Sequence, residues 1–444
     1  MHVSTDETIR QVDSLDKSTY AVLLHEYIHF LQDVTTVYGL GNISGSVNLI
    51  RHHVNQAYRG RDSGTVTVPL CPDPRTAADS AYVGQEIRRI TWGDTRSCDL
   101  LRIHSWKMTH EPLSHPLSPV AKVPCVELKA RCQRGAMTDA TLRFGAGCLL
   151  ESMAKIMERN MSDDPRTYCE FPYDAATKLA AEIYGAFAQN ELNVLALCDL
   201  ALNCSNPGKV FIDMLAEWKA KKAVPSDPRE LYDDFYTREH EWIRVESVSA
   251  KQKTLETYLP VLEQAVRAAE NDLKSYFKSV PGASDYWSET TGLINAWVHA
   301  VLDGALKWRK DKPYFMLDLA EGGKGPANKT FQALYCDMGM PFCTNSDGAA
   351  CFYHPAFNTD KLHLEYFTAA HDISEILCDR YSYDDGCSLY RHCKYCMDNR
   401  QGNVAVDDRC REPWERGNTR EDLCPFAAVW VHWGLFGITP EYNP

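Results

Sequence analysis

Near its start the chain carries His25, Glu26 and His29 in the pattern His-Glu-x-x-His, within an apolar and otherwise uncharged stretch. The two histidines are four positions apart, so on a helix both imidazoles project from one face. Two imidazoles placed in this way can bind one Zn²⁺ at about 2.0–2.1 Å each. Glu26 would lie beside the metal, where its carboxylate can take a proton from an activated water. The spacing therefore predicts a hydrolytic metal centre.

This segment, from Val22 through Leu31, resembles the zincin metallopeptidases, whose motif helix is buried and free of further charge and of proline. The resemblance implies Zn²⁺ as cofactor, His25 and His29 as ligands and Glu26 as general base in peptide-bond hydrolysis. The alternative is an amphipathic core helix with two satisfied histidines. Burial of such polar groups on one apolar helix is costly unless something pairs them, which favours the metal centre.

A zincin needs a third protein ligand, and two known arrangements do not fit this chain. Metzincins would carry Gly and His where this chain has Gln32 and Thr35. Short-spaced gluzincins carry a glutamate soon after the motif, whereas no glutamate occurs here between Glu26 and Glu86. Asp33 is too close along the helix to be a ligand, but it could orient a histidine.

Glu151 is the best candidate for the third ligand. The segment Gly145–Glu158 looks like the long-spaced gluzincin arrangement, in which a helical Glu followed three residues later by Ala supplies the ligand. The helical face of Glu151 also carries Gly147, Cys148 and Ala154, small residues that would let this helix approach the motif helix closely. The alternative is a small-residue packing face with a surface glutamate. Rivals for the third ligand are Glu158, Glu182 and the adjacent His52 and His53.

Peptide hydrolysis also needs a donor that stabilises the tetrahedral oxyanion. Zincins often use a tyrosine or a histidine for this purpose. The sequence does not choose among its candidates, which are Tyr184, His354 and His371. The donor stays unassigned at this point.

A second, structural zinc site is predicted among the C-terminal cysteines. Nine of the 17 cysteines follow residue 330, and Cys393 and Cys396 form a Cys-x-x-Cys knuckle. Cys410 and Cys424 would complete four sulfurs around the ion. An iron–sulfur cluster and buried free thiols stay open as alternatives. Alternate ligands are Cys387, His392 and the pair Cys351 and His354.

Helices must position most of these residues. Asp16 or Ser18 is a candidate cap for a first helix that runs to about Val37, before the glycines at 39 and 41. After about Thr138 one helical pattern follows another. The fold class expected is α+β and predominantly α-helical, with a zincin-like motif helix in the core.

Only a small sheet is expected, and it must come from residues after the motif. Thr65–Val68 alternates between polar and apolar residues and ends at a proline, which predicts a strand, and Val120–Lys129 is a second candidate. One of the two should form the edge strand of the cleft, which would align an extended peptide by β-addition.

Three consecutive regions are expected. These are a catalytic core over 1–224, a helical domain over 225–325, and an irregular Cys-rich region over 326–444 that is a candidate for closing the cleft. The net charge of −13 argues against nucleic-acid binding. The sequence has no uninterrupted run of roughly 18 apolar residues, so it predicts no membrane span. Its polar, acidic start is unlike a signal peptide. The sequence therefore predicts a cytoplasmic location.

The sequence thus predicts a zinc metallopeptidase that cleaves a protein or peptide substrate. A cytosolic protease must be restrained, which predicts an activating or inhibitory protein partner. The alternative from another class is a non-catalytic interaction or regulatory protein in which the bound metal only stabilises the fold. An open water position on the metal would favour the enzyme, and four protein ligands would favour the interaction protein.

Overall fold

The computed structural model describes residues 2–3, 12, 15–70, 78–94, 96–113, 121–237, 254–276, 285–345, 350–357, 365–378, 414 and 424–442. Most of the described residues are helical, as predicted, and the strands form small sheets. The helices are α1 (Lys17–Thr35), α2 (Val37–Arg59), α3 (Ala78–Trp92), α4 (Ala146–Met161), α5 (Ala175–Ala188), α6 (Glu191–Leu202), α7 (Pro207–Lys221), α8 (Arg229–Thr237), α9 (Thr254–Tyr276), α10 (Asp285–Asp311), α11 (Phe315–Glu321), α12 (Lys329–Met338), α13 (Glu365–Cys378) and α14 (Pro425–His432). The strands are β1 (His2–Val3), β2 (Thr65–Val68), β3 (Asp99–Pro112), β4 (Lys122–Arg134), β5 (Ala136–Phe144), β6 (Met340–Asn345), β7 (Ala350–Tyr353) and β8 (Thr439–Tyr442).

The chain divides into two compact units, each assembled from three separated segments. The first unit comprises Met1–Ile43, Val83–Ala269 and Ala300–Pro355. The second unit comprises the remaining segments, which are Ser44–Tyr82, Glu270–His299 and Ala356–Pro444. The three consecutive regions expected from composition stay a prediction.

Helix α6 forms the centre of the first unit. It is apolar on every side, and its residues from Asn193 to Leu202 are all buried. A helix without a polar face must be surrounded, and α6 packs against α4, α5, α7, α8 and α11. Helix α4 in turn packs against α1, so the motif helix is joined to the core through the helix that carries Glu151.

Helix α1 begins where its cap predicts but ends earlier than expected. The Asp16 carboxylate accepts hydrogen bonds from the backbone N–H groups of Ser18 and Thr19, at 2.7 and 3.0 Å. The predicted break at the glycines was wrong, because α1 ends at Thr35 and α2 runs through both glycines. Thr36 caps α2, since its hydroxyl accepts the Gly39 N–H at 3.0 Å. A Cβ on Gly39 would lie 2.5 Å from backbone atoms of Asp33, so this glycine permits close packing.

The first unit contains two described sheets, and the one with the longer strands lies between the motif and α4 in sequence. It is antiparallel with the order β3-β4-β5. The prediction of a strand over 120–129 is confirmed by β4, but its expected role as the edge strand was wrong. Strand β4 pairs with β3 on one side and with β5 on the other, so its backbone groups are already used. The free edges of this sheet belong to β3 and β5.

A fully buried ion pair fixes the C-terminal end of α1. The Arg309 guanidinium donates two hydrogen bonds to the Asp199 carboxylate, at 2.7 and 2.6 Å, and both side chains are 0% exposed. Tyr232 donates a further hydrogen bond to Asp199 at 2.8 Å. Arg309 also donates to the Thr35 carbonyl at 2.8 Å. A cation at this position complements the partial negative charge of the helix end.

In the second unit, β2 and β8 pair in parallel, with Thr65 opposite Thr439. The strand predicted at 65–68 is therefore confirmed, and it belongs to a different unit from the motif helix. Helices α13 and α14 pack against each other, and Phe426, Trp430 and Trp433 are buried in this unit's core. None of the helices in the described part of the chain combines the length and the apolar composition needed to cross a membrane.

Candidate metal centre

The motif histidines lie on one side of α1, as their spacing predicts. Their ring centroids are 4.9 Å apart, and the rings are nearly perpendicular. His25 is buried, whereas Glu26 and His29 are half-buried. The apolar neighbours Leu24 and Ile28 are fully buried and hold this face of the helix against the core.

Glu151 approaches both histidines from α4. Its Oε2 lies 3.3 Å from His25 Nε2 and 3.4 Å from His29 Nε2. These three ligand atoms all lie within 4.8 Å of one another. The predicted small residues at 147, 148 and 154 are all buried, as close packing of α4 requires. The structure thus brings together His25, His29 and Glu151, the set predicted as metal ligands.

A buried carboxylate holds the far side of the His25 ring. Glu158 Oε2 accepts a hydrogen bond from His25 Nδ1 at 3.1 Å. Tyr168 donates its hydroxyl proton to the same oxygen at 2.5 Å, and its Oη lies 3.2 Å from Nδ1. This arrangement keeps a proton on Nδ1 and turns Nε2 toward Glu151, so Nε2 is the nitrogen available to a metal. Glu158, a rival for the third ligand, therefore contacts His25 Nδ1 and orients that ring instead.

Gln32 orients His29 in the same way, through a hydrogen bond at Nδ1. Its side-chain N–H donates to the Leu150 carbonyl at 3.0 Å, so its Oε1 is left to accept from His29 Nδ1 at 2.8 Å. Asp33, the residue expected to orient a histidine, is exposed, and the His29 Nδ1 contact is made by the buried Gln32. Both histidines are thus fixed with Nε2 free to bind a metal.

A positive charge between His25, His29 and Glu151 would stabilise this cluster. Burial alone would raise the pKa of Glu151, but hydrogen bonds and charge from His25 and His29 lower it to about 2. Burial alone would lower the pKa of His29, but the contacts with Glu151 and Gln32 and the charge of Glu26 raise it to about 9. Either a proton or a divalent metal can supply the positive charge. Two imidazole nitrogens and one carboxylate oxygen are the ligand set of many catalytic zinc sites, so the residues fit this ion.

Residues 162–174, which we call the strap, connect α4 to α5 and lie over the His25 ring. The Glu158 carboxylate accepts the backbone N–H of Arg166 at 2.5 Å, and Lys155 pairs with Asp174 at 2.7 Å. Tyr168 stacks on His25 with the ring centroids 5.2 Å apart. The strap is therefore fixed to α4 near both of its ends.

Tyr173, also in the strap, lies beside the cluster. Its ring stacks on Tyr168 at 4.3 Å, and its centroid is 6.0 Å from that of His25. Burial and the nearby carboxylates of Glu151 and Glu26 raise the pKa of Tyr173 to about 12. Its phenol is therefore a protonated hydrogen-bond donor near Glu151 and Glu26.

The other candidates from the sequence lie elsewhere. Glu182 is exposed on α5, and Tyr184 forms a kink in the same helix with φ −147° and ψ 82°. His354 is buried after β7. His53 lies in the second unit beside His52, and its Nε2 is 2.8 Å from the Tyr82 hydroxyl oxygen. The side chain of His371 lies outside the described residues.

The predicted cysteine site cannot be traced in the described part of the chain. Cys424 is buried at the start of α14. Its expected partners Cys393, Cys396 and Cys410 lie outside the described residues, as do the alternates Cys387 and His392 and the side chain of Cys351. The second zinc site stays a prediction.

Sequence reasoning did not predict which groups orient the two histidines, although it named Glu158 as a rival ligand. Gln32 follows His29 by three positions and Glu158 follows Glu151 by seven, so each shares a helical face with its ligand. Helical spacing is thus a signal that could have found both. Tyr168 and Tyr173 lie in the irregular strap, where no periodicity marks them.

Comparison with known proteins gives no match to this chain, whether among protein-family models, curated proteins or solved structures.

Proposed function

We propose that this chain is a zinc-dependent metallopeptidase of gluzincin-like type that hydrolyses peptide bonds of a protein or peptide substrate. The observation that carries the proposal is the convergence of two imidazole Nε2 atoms from α1 on one carboxylate from α4. Each imidazole is fixed by an acceptor at Nδ1, which is the orientation that metal ligation needs.

The exposure of the cluster favours an enzyme over a closed structural site. The His25 side chain is only 4% exposed, whereas His29 and Glu151 are 25% and 26% exposed. Solvent therefore reaches the cluster from the side of His29 and Glu151. Three protein ligands with one open side are typical of catalytic zinc sites.

The residues would divide the reaction as follows. Zinc bound to His25, His29 and Glu151 would supply a Lewis acid and lower the pKa of an attacking water. Glu26 would accept the proton of that water and then deliver it to the leaving amine. Tyr173 would donate its hydroxyl proton in a hydrogen bond to the developing oxyanion. A cytoplasmic location and a restraining or activating partner stay predictions.

Metal content tests this function most directly. Purified protein supplied with zinc should hold at least one ion per chain, and the His25→Ala/His29→Ala variant should lose one ion while it stays folded. Glu151→Gln should weaken zinc binding, whereas Glu182→Gln is a matched control on an exposed glutamate and should not. Atomic absorption and circular dichroism give the two readouts. A wild-type protein that takes up no zinc, or a double variant that keeps all of it, would contradict the proposal.

The role of Tyr173 has its own test. Tyr173→Phe should lower kcat by about 10²–10³-fold with KM and zinc content nearly unchanged, because an oxyanion donor acts only in the transition state. Tyr184→Phe is the matched control and should leave kcat unchanged. Steady-state kinetics on one cleaved peptide would distinguish them. An unchanged kcat in Tyr173→Phe would exclude the phenol as donor.

A further inference from the structure

Three cysteines lie close together where the strap meets the start of β3. In the antiparallel sheet Leu100 is opposite Cys132, and Cys98 pairs with Phe171 in an isolated bridge. Side chains alternate along a strand, so residues two apart point to the same face. Cys98 therefore shares a face with Cys132. On its other side Cys98 pairs with Phe171 of the strap, two residues after Cys169.

The contacts agree with this register. The Phe171 carbonyl oxygen accepts both the Cys98 N–H and the Cys169 thiol, each at 3.2 Å. The Cys98 thiol lies within hydrogen-bonding reach of the Cys132 thiol. Burial and these neighbouring thiols raise the pKa of Cys98 to about 12. All three thiols are free; Cys132 is buried, whereas Cys98 and Cys169 are half-buried.

The strap also contacts His25, one of the proposed metal ligands. Tyr168 precedes Cys169, and its hydroxyl contacts both Glu158 and His25 Nδ1. Cys169, which lies beside β3, is therefore the direct chain neighbour of Tyr168, which contacts His25. A shift of Cys169 toward β3 would draw Tyr168 away from the imidazole.

We propose that Cys98 and Cys169 are a modification site, at which a low-molecular-weight disulfide forms a reversible Cys98–Cys169 bond that weakens metal binding at the proposed centre. Both thiols are free, so their sulfurs are not bonded. A disulfide brings the two sulfurs to about 2.05 Å. Bond formation would therefore pull the strap toward β3. The regulation rests on the proposed metallopeptidase centre, whereas the bond itself does not.

The chemistry is a thiol–disulfide exchange in two steps. The Cys169 thiolate attacks one sulfur of the small disulfide, forms a mixed disulfide and releases one thiolate. The Cys98 thiolate then attacks the Cys169 sulfur and releases the second thiolate, and the two released thiolates take up the two protons lost by the cysteines. Two cysteine thiols are oxidised and one disulfide is reduced. Because the pKa of Cys98 is raised, the second step is slow at neutral pH.

The test uses the full chain treated with oxidised or reduced glutathione. Peptide mapping by mass spectrometry should locate the Cys98–Cys169 bond in the oxidised sample. Competition with a chelator should show zinc affinity about 10–100-fold weaker than in the reduced sample, and dithiothreitol should restore it. Cys169→Ser should not respond to oxidation, whereas Cys204→Ser, a matched control on a buried cysteine of the same unit, should respond like wild type. Tyr168→Phe should bind zinc more weakly in the reduced state and show little further loss on oxidation.

The outcomes separate the two proposals. Absence of the Cys98–Cys169 bond from the map, or its presence with unchanged zinc affinity, would overturn this inference and leave the proposed function standing. A reduced wild-type protein that binds no zinc would overturn the proposed function and the regulation that rests on it.

Discussion

Glu26→Gln should lower the turnover of a cleaved peptide by about 10²–10⁴-fold while the zinc content stays that of wild type. The amide has nearly the same shape as the carboxylate, but it cannot accept the proton of the attacking water. Glu26 is outside the set of atoms that converge on the metal position, so its replacement should spare zinc binding. Cleavage of a peptide library followed by mass spectrometry, beside metal analysis of the same sample, measures both quantities.

The control for this variant is Glu182→Gln, because that glutamate is exposed on α5 and away from the cluster. It should keep wild-type turnover. If Glu26→Gln cleaves as fast as wild type, Glu26 is not the base. If neither the variant nor wild type cleaves any peptide although zinc is bound, the non-catalytic interaction protein becomes the better explanation. Small amides tested alongside the library would reveal a zinc hydrolase of non-peptide bonds.

Arg309→Met should lower the free energy of unfolding of the first unit by about 3–5 kcal/mol, the second large effect expected. The change removes the positive charge that pairs with the fully buried Asp199 carboxylate. That carboxylate would keep the hydrogen bond from the Tyr232 hydroxyl but lose two charge-assisted hydrogen bonds from Arg309. The change also removes the donor to the Thr35 carbonyl at the end of α1. Urea unfolding followed by circular dichroism measures the loss.

Two further variants identify the cause of that loss. Lys310→Met is the matched control on the next residue, where the Glu263 pair is solvent-exposed at 3.5 Å and should contribute no more than about 1 kcal/mol. Arg309→Met/Asp199→Leu removes both buried charges and should regain much of the lost stability. A double variant as unstable as Arg309→Met would show that packing, and not the unpaired charge, explains the effect.

The parts of the site that follow helical periodicity could be predicted from the sequence. The spacing of His25 and His29 alone places them on one face of a helix. The small residues that share a helical face with Glu151 indicated that this glutamate could approach them. The central helix α6 was also predictable, because an apolar segment on all sides has to be buried. In each case the evidence lies within one element.

Features that depend on contacts between elements could not be predicted in this way. Gly39 looks like a helix breaker, yet it lies inside α2 because only a residue without a Cβ fits against Asp33. The pairing of β3 with β4 could not be predicted from the sequence. Buried and exposed residues do not alternate along β3, and its register with β4 shifts after Leu100. Tyr168 and Tyr173 are placed by hydrogen bonding and stacking of the strap, which leave no periodic signal.

The spacing of the two carboxylates on α4 has a consequence for recognising relatives of this protein. Glu151 and Glu158 are seven residues apart, about two helical turns, and they contact opposite nitrogens of the same imidazole. A slip of α4 by a single residue would break both contacts at once, so an insertion or deletion between positions 151 and 158 is not tolerated by this geometry. A search pattern that combines His-Glu-x-x-His-x-x-Gln with a later pair of glutamates separated by six residues would therefore find distant sequences in which general similarity has been lost.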